Sequence, residues 1–384
     1  MQTKPEIIFT FPACMGGVAS FNFNIINFSR LIKGFYSKVI MIKASEDKLP
    51  LFLENFNTDE VLTFEFSRKE NQYHVQKRLN RLLGNSPGCI VTDNGLTVYA
   101  ARQFNNPKTV YHVVHDYYYV NEASAFGDMI DVAIAHSSFF SDAVFASNPT
   151  LFFNRSFYIP YGVQQLQEFP NKNNTFLKLV FLGRLDDSKG VELLYEIENG
   201  LKEKNVHVDW TIIGKGPLKE FLQKQWKAAN NISFYEPDST AEVYEILGSQ
   251  DIFVFPTSFE GTPVSILEAL ANGIVTVTND LPGGIRDIVL EGIGFRCALN
   301  NVEEYINRII SLHNNRSTLS KMQLNCFELA GNEYDIRNNA DHYFDKFLRY
   351  EAFKRDKKVN PIKLSRLDKP VIPNMLVKII RNLK

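Results

Sequence analysis

Short apolar runs at 6–11, 38–43, 61–65, 88–92, 109–114 and 131–135 alternate with longer stretches of helical period. Few architectures accept that pattern. Runs this short and this continuously apolar suit strands of a parallel sheet, covered on both faces by the helices written between them. A polar stretch from Gln164 to Thr175, with Pro170 and three Asn, interrupts the alternation and reads as an interdomain linker. Strands are expected again near 178–182, 207–213, 252–255 and 274–277, with helices from about 302 onward. At 384 residues the chain exceeds one typical core and suits two doubly wound, Rossmann-like α/β domains. The expected division is 1–165, 176–340 and a helical, basic tail at 341–384.

Composition narrows the function. The hydrophobic content of 45% supports folded cores, and the 31 Phe and 16 Tyr are spread along the chain as core residues are. Cys14, Cys89, Cys297 and Cys326 show neither C-x-x-C spacing nor the density of a secreted scaffold, which points to a reducing cytoplasm and away from zinc. The start of the chain reads as no signal peptide, and no run of 18 apolar residues suggests a membrane span. Net charge is −1, yet residues 354–384 hold ten Lys/Arg against two Asp, so this tail carries +8 and the rest −9. A body of that sign repels phosphate backbones, which argues against nucleic acid and for a local anionic partner of the tail.

Doubly wound domains hold ligands at the carboxyl ends of their strands, so the cleft between two of them is the expected binding site. Gly16-Gly17, Asp93, His115, Arg184, Gly214 and Glu260 each follow an apolar strand directly. In the segment Phe259 to Gly273, Thr262 suits an N-cap and Pro263 a first helical residue, so unpaired N–H groups would face an anion there. Glu268 would then lie about 7 Å along the helix axis. It is the only ionisable residue between Gly261 and Asn279, so it either turns to solvent or accepts hydrogen bonds. Arg184 and Lys189, five apart, can converge on one phosphate pair, or can pair with Asp186 and Asp187 at the surface. Gly17 opens a helix expected to run to about Ile32, and Met15-Gly16-Gly17-Val18 lacks the G-x-G-x-x-G of nicotinamide and flavin enzymes. His115, at the loop boundary, is a better candidate than His112, and Asp93 in Asp93-Asn94-Gly95 reads as turn chemistry. The chain has no Asp-x-Asp element, so no metal is expected, and without G-x-G-x-x-G no nicotinamide or flavin cofactor is expected either.

Glu260 to Glu268 resembles the E-x7-E signature of the retaining glycosyltransferases of family 4. Phe181-Leu182-Gly183-Arg184-Leu185, Ser188-Lys189-Gly190, Ile212-Ile213-Gly214-Lys215-Gly216-Pro217 and Ile159-Pro160-Tyr161-Gly162-Val163 resemble further motifs of that family, in the same order. The resemblance covers roughly residues 5 to 350. It implies the GT-B fold, with the C-terminal helix crossing back, and transfer of a sugar from a UDP- or GDP-sugar to a glycan or lipid-linked acceptor. It implies Glu260 and His115 at the transferred sugar, and Gly17, Arg184, Lys189, Thr262, Pro263, Val264, Ser265 and Glu268 at the donor. Surface polysaccharide or glycolipid synthesis on the cytoplasmic side of the plasma membrane is the implied setting. A catalytically silent nucleotide-sugar binder, an epimerase and a phosphorylase are the alternatives. Met375 to Lys384 places apolar residues at helical spacing with three cations opposite, and such a helix either lies on an anionic membrane or packs on the first domain.

Overall fold

The computed structural model describes residues 4–14, 16–47, 55–172, 174–356 and 363–383. They form two units, Met1–Pro160 with Arg337–Lys384, and Tyr161–Ile336.

The first unit is built on seven parallel strands: β1 (Glu6–Pro12), β2 (Tyr36–Ala44), β3 (Glu60–Phe66), β4 (Gly88–Thr92), β5 (Thr109–Val114), β6 (Val132–Ala135) and β7 (Ser156–Tyr158). Their order is β3-β2-β1-β4-β5-β6-β7. The chain therefore winds outward in one direction from β1 and in the other from β4, and the loops following these two neighbours part to leave a crevice. Every residue of β4, β5 and β6 is buried, which is why they read as unbroken apolar runs. Ile8, Ile40, Val75, Leu79, Ile90, Val98 and Val110 belong to one core cluster on this sheet. Each fully buried side chain of this size contributes about 1.5–3 kcal/mol. The first helix, Gly17–Phe28, stops short of the expected Ile32. Ser29 leaves it in an extended conformation and donates its hydroxyl to Asp341 at 2.9 Å. Helix Ile336–Leu348 packs on the sheet, Phe344 and Phe347 meeting Phe9 with ring centroids 5.9 and 6.0 Å away. Tyr111 donates its hydroxyl to the Lys346 carbonyl at 2.6 Å, so the chain's end does return to the first sheet.

The second unit has six parallel strands, β8 (Leu177–Leu182), β9 (Val208–Ile213), β10 (Ile232–Tyr235), β11 (Ile252–Phe255), β12 (Val275–Asn279) and β13 (Gly294–Cys297), in the order β10-β9-β8-β11-β12-β13. The winding reverses between β8 and β11. The polar stretch 164–175, whose Asn173 lies outside the described residues, is fastened to this unit. Lys172 donates to the carbonyls of Gln250 and Gly273 at 2.7 and 2.9 Å, Asn174 donates to Asp251, and Phe169 packs edge-on against Phe327. Burial brings Lys172 down to about 7, near neutrality. Strands β7, β10 and β13 were not among the expected runs. All three lie at sheet edges, where half-exposed positions break the apolar pattern.

Candidate functional site

In the second unit the chemistry-bearing loops follow β8 and β11, the two strands at the winding reversal. The loop after β8 runs through Arg184 into a short turn of 3-10 helix, Asp187–Lys189, closed by Gly190. Gly190 has φ +62°, and a Cβ there would lie 2.1 Å from the Pro256 carbonyl oxygen, so only glycine lets the two loops touch. The contact is sewn by hydrogen bonds: the Ser188 carbonyl accepts from the Ser258 amide at 2.9 Å and from the Thr257 hydroxyl at 3.1 Å. Asn279, at the end of β12, donates to the Thr257 carbonyl at 2.8 Å and accepts from the Tyr305 hydroxyl at 3.0 Å.

This scaffold brings Lys189 to Glu260. The ammonium donates to the Glu260 carboxylate at 2.5 Å, and the Thr257 hydroxyl donates to the same oxygen at 3.4 Å. Their side chains are 22% and 12% exposed, so the pair is largely shielded from water. Burial raises the Glu260 pKa, and Lys189 opposes that rise. Arg184 does not join them: it pairs with Asp186 at 3.0 Å and is 63% exposed. Of the two surface pairings open to these cations in the sequence, the one between Arg184 and Asp186 forms.

The helix after β11 spans Val264–Ala271. Two expectations about its start need correction. Pro263, with φ −74° and ψ 105°, is itself the N-cap residue and not the first helical one, and Thr262 provides no cap. The Thr262 hydroxyl is buried without a hydrogen-bond partner and packs where a Cβ on Gly284 would sit, 2.7 Å away. The cause is the extended backbone of Pro263, which moves the helix start one residue along and turns Thr262 toward the loop after β12. Because proline lies before the first turn, that turn loses no N–H group, and those of Val264 and Ser265 have no acceptor within the helix. Glu268 lies in the second turn, half-buried, and among the described residues its carboxylate has no hydrogen-bond or ion-pair partner. Burial alone raises its pKa from the ordinary 4.5 to about 7.

In the first unit, Gly16 and Gly17 stand where the loop after β1 becomes a helix, and no described atom lies within 4 Å of a Cβ on either. Met15 of this motif is outside the described residues. His115, after β5, is tied into a chain of hydrogen bonds. Its Nε2 lies 3.3 Å from Asp93, and its Nδ1 lies 3.1 Å from His136 Nε2. His136 Nδ1 is 2.6 Å from the Tyr343 hydroxyl, which donates to the Ile159 carbonyl at 2.7 Å. The Tyr343 proton is thus spent on Ile159, so its oxygen accepts from His136 Nδ1–H. Burial holds His136 well below its usual pKa and so neutral, which leaves its Nε2 to accept from His115 Nδ1–H. The contact between His115 Nε2 and the Asp93 carboxylate closes the other end of this chain. Asp93 is buried, its pKa raised by burial and lowered by His115, and it also accepts from Asn22 at 2.7 Å. Both ring nitrogens of His115 are engaged within the unit. His112 is fully buried, with its pKa lowered to about 4 by burial.

Asp93 is the residue that sequence reasoning set aside. Its Asp-Asn-Gly context does make a turn, since Asn94 caps helix Gly95–Gln103 by accepting from the Leu96 amide. The available signal was its place at the end of β4, beside β1, where this sheet's winding reverses.

Residues 163–327 match the family described as Glycosyl transferases group 1. The chain is 26% identical over 181 residues to the UDP-Gal:alpha-D-GlcNAc-diphosphoundecaprenol alpha-1,3-galactosyltransferase of Escherichia coli, spanning 46% of each protein. It therefore covers about half the length of that relative. An uncharacterized glycosyltransferase of Haemophilus influenzae is 24% identical over 333 residues, 78% of this chain and 87% of that one. Among solved structures, Anabaena Alr3699/HepE in complex with UDP and glucose superposes with a TM-score of 0.69 at 14% identity, covering 90% of this chain and 99% of that one. The fold is GT-B, built from two Rossmann-like units.

Proposed function

We propose that this glycosyltransferase moves a hexosyl group from a nucleoside-diphosphate sugar to a glycan or lipid-linked acceptor, with retention at the anomeric carbon and without a metal ion. The observation that carries the reading is the arrangement around the β8–β11 reversal: a shielded Lys189–Glu260 pair beside a helix start, with a partnerless carboxylate, Glu268, one turn further in. A ribose supplies what Glu268 lacks, because two neighbouring hydroxyls can both donate to one carboxylate. The diphosphate accepts from the Val264 and Ser265 amides. As the glycosidic bond breaks, charge grows on the leaving diphosphate. Lys189, the helix start and Arg184, once it exchanges Asp186 for phosphate, stabilise that charge. Glu260, steered by Lys189, binds sugar hydroxyls while the acceptor hydroxyl attacks from the face the diphosphate leaves and passes its proton to the departing phosphate oxygen.

In the first unit Gly17 gives backbone room for the donor. His115, held by Asp93 and His136, serves the sugar by exchanging one of these partners for a sugar hydroxyl. The Anabaena neighbour's UDP and glucose, and the lipid diphosphate named for the Escherichia coli relative, support a nucleotide-sugar donor and a lipid-linked acceptor here. Among the described residues no helix is long and apolar enough to cross a membrane. We assign contact with the cytoplasmic membrane face to the basic tail on its charge, ten Lys/Arg against two Asp in residues 354–384. The test is incubation with UDP-, GDP-, ADP- and dTDP-sugars and a lipid-diphosphate acceptor in EDTA, with the product anomer read by NMR. An inverted product, or transfer that needs added Mn, refutes the mechanism.

A further inference from the structure

A surface helix normally turns its apolar stripe inward and its charges out. Helix Asn374–Asn382 does the opposite. With successive residues about 100° apart, Met375, Leu376, Ile379 and the following Leu383 fall on one side, and Asn374, Val377, Lys378 and Arg381 on the other. The polar side is the one fastened to the protein. Asn374 accepts from the Asn71 amide and donates to Glu70 at 2.7 and 2.8 Å. Arg381 holds Asp368 at 2.8 Å, Lys378 lies 3.7 Å from Glu70, and Lys69 donates to Asn382 at 2.7 Å. Val377 is the helix's one buried side chain. The apolar side is bare: Met375 is 76% exposed, Leu376 and Ile379 48% each, Leu383 83%, and Val371 just before the helix 85%.

We propose that this outward stripe, Met375, Leu376, Ile379 and Leu383, inserts at headgroup depth into an anionic lipid bilayer. The proposal rests on the membrane placement given above and adds the mode of contact. Charge selects lipid as the occupant. Described residues 363–383 hold five cations against one acid, and that acid, Asp368, is buried beneath Arg381. Glu70, the other carboxylate of the cluster, is buried among Arg78, Lys378 and Asn374. Lys378 and Arg381 are held by Glu70 and Asp368 on the protein side, which leaves the exposed Lys363, Arg366 and Lys369, in the segment leading to the helix, to meet anionic headgroups while the stripe meets acyl chains. A helix about 13 Å long and about 10 Å wide also offers far less than the ~800 Å² per partner of a stable protein interface. The clip to Glu70 and Asp368 presents the stripe ready-made, so no helix has to fold on the surface.

The experiment uses the full chain with phosphatidylcholine vesicles, with and without phosphatidylglycerol. Trp210 and Trp226, the chain's two tryptophans, are buried in the second unit, so Met375→Trp adds a reporter at the stripe. Its emission should shift to the blue on the anionic vesicles alone. Leu376→Glu and Ile379→Glu should each weaken vesicle binding about tenfold or more, while nucleotide binding and the unfolding midpoint stay unchanged. Binding that survives both substitutions, with no blue shift, overturns insertion and leaves only charge attraction. A dimer that Ile379→Glu dissociates overturns it in favour of a second copy. Wild-type protein that ignores anionic vesicles at low salt overturns the membrane placement as well, without touching the donor chemistry.

Discussion

Removing Lys189 should cost far more than a surface ion pair is worth. In Lys189→Ala the Glu260 carboxylate keeps its shielded position, at 12% exposure, and loses the ammonium 2.5 Å away. Breaking a buried pair from one side costs about 3–5 kcal/mol, whereas exposed pairs are worth about 0–1. The second unit contains its own yardstick. Glu268 has no partner, and its rise from 4.5 to about 7 corresponds to about 3 kcal/mol at and above neutral pH. A deficit of about 3 kcal/mol is therefore expected for the variant at pH 8. The sign with pH follows: a carboxylate whose folded pKa is raised holds more protons folded than unfolded, so the penalty is complete above the folded pKa and fades as pH falls toward 4.5. Urea unfolding followed by tryptophan fluorescence reads this unit alone, because both tryptophans are in it. Lys189→Met combined with Glu260→Gln should recover most of the stability and none of the transfer. A Lys189→Ala deficit below about 1 kcal/mol, or one that is the same at pH 5 and pH 8, would refute the reasoning.

Glu268→Gln should make the free protein more stable at pH 8, since it removes a partnerless charge, and weaken nucleotide binding about tenfold or more; unchanged affinity by titration calorimetry would contradict it. Glu260→Gln should nearly abolish transfer while nucleotide binding persists, and a kcat near wild type argues against its role at the sugar. Asp93→Asn removes the carboxylate that faces His115 Nε2. It should cut kcat about 10²-fold with nucleotide affinity unchanged, and the pH profile of kcat should change shape; an unaltered profile would show the pair to be structural. Saturating EDTA should leave transfer at its starting rate, which a coupled assay for nucleotide release can follow.

What could be read from the sequence divides along a physical line. Central strands such as Gly88–Thr92 and Thr109–Val114 are buried at every position, and their ends were expected where they lie. Edge strands such as Ile232–Tyr235 alternate in exposure and gave no such run. Glu268 stood out as a lone carboxylate because its isolation is local to its own helix. The Lys189–Glu260 pair joins residues 71 apart, and Asp93 finds Asn22 and His115 at separations of 71 and 22, so these contacts follow from sheet order and not from nearby text. The amphipathic end of the chain was equally plain in the sequence. Which side faces the protein was not, since Glu70, its anchor, lies about 300 positions upstream.

The most direct measurement is titration of wild type and Glu268→Gln with UDP, GDP, ADP and dTDP, followed by the thermal shift of tryptophan fluorescence in the second unit. One diphosphate should raise the midpoint of the wild type and do so much less in the variant. If none of the four shifts it, or if the variant responds as the wild type does, Glu268 does not hold a nucleotide and the proposed donor site is wrong.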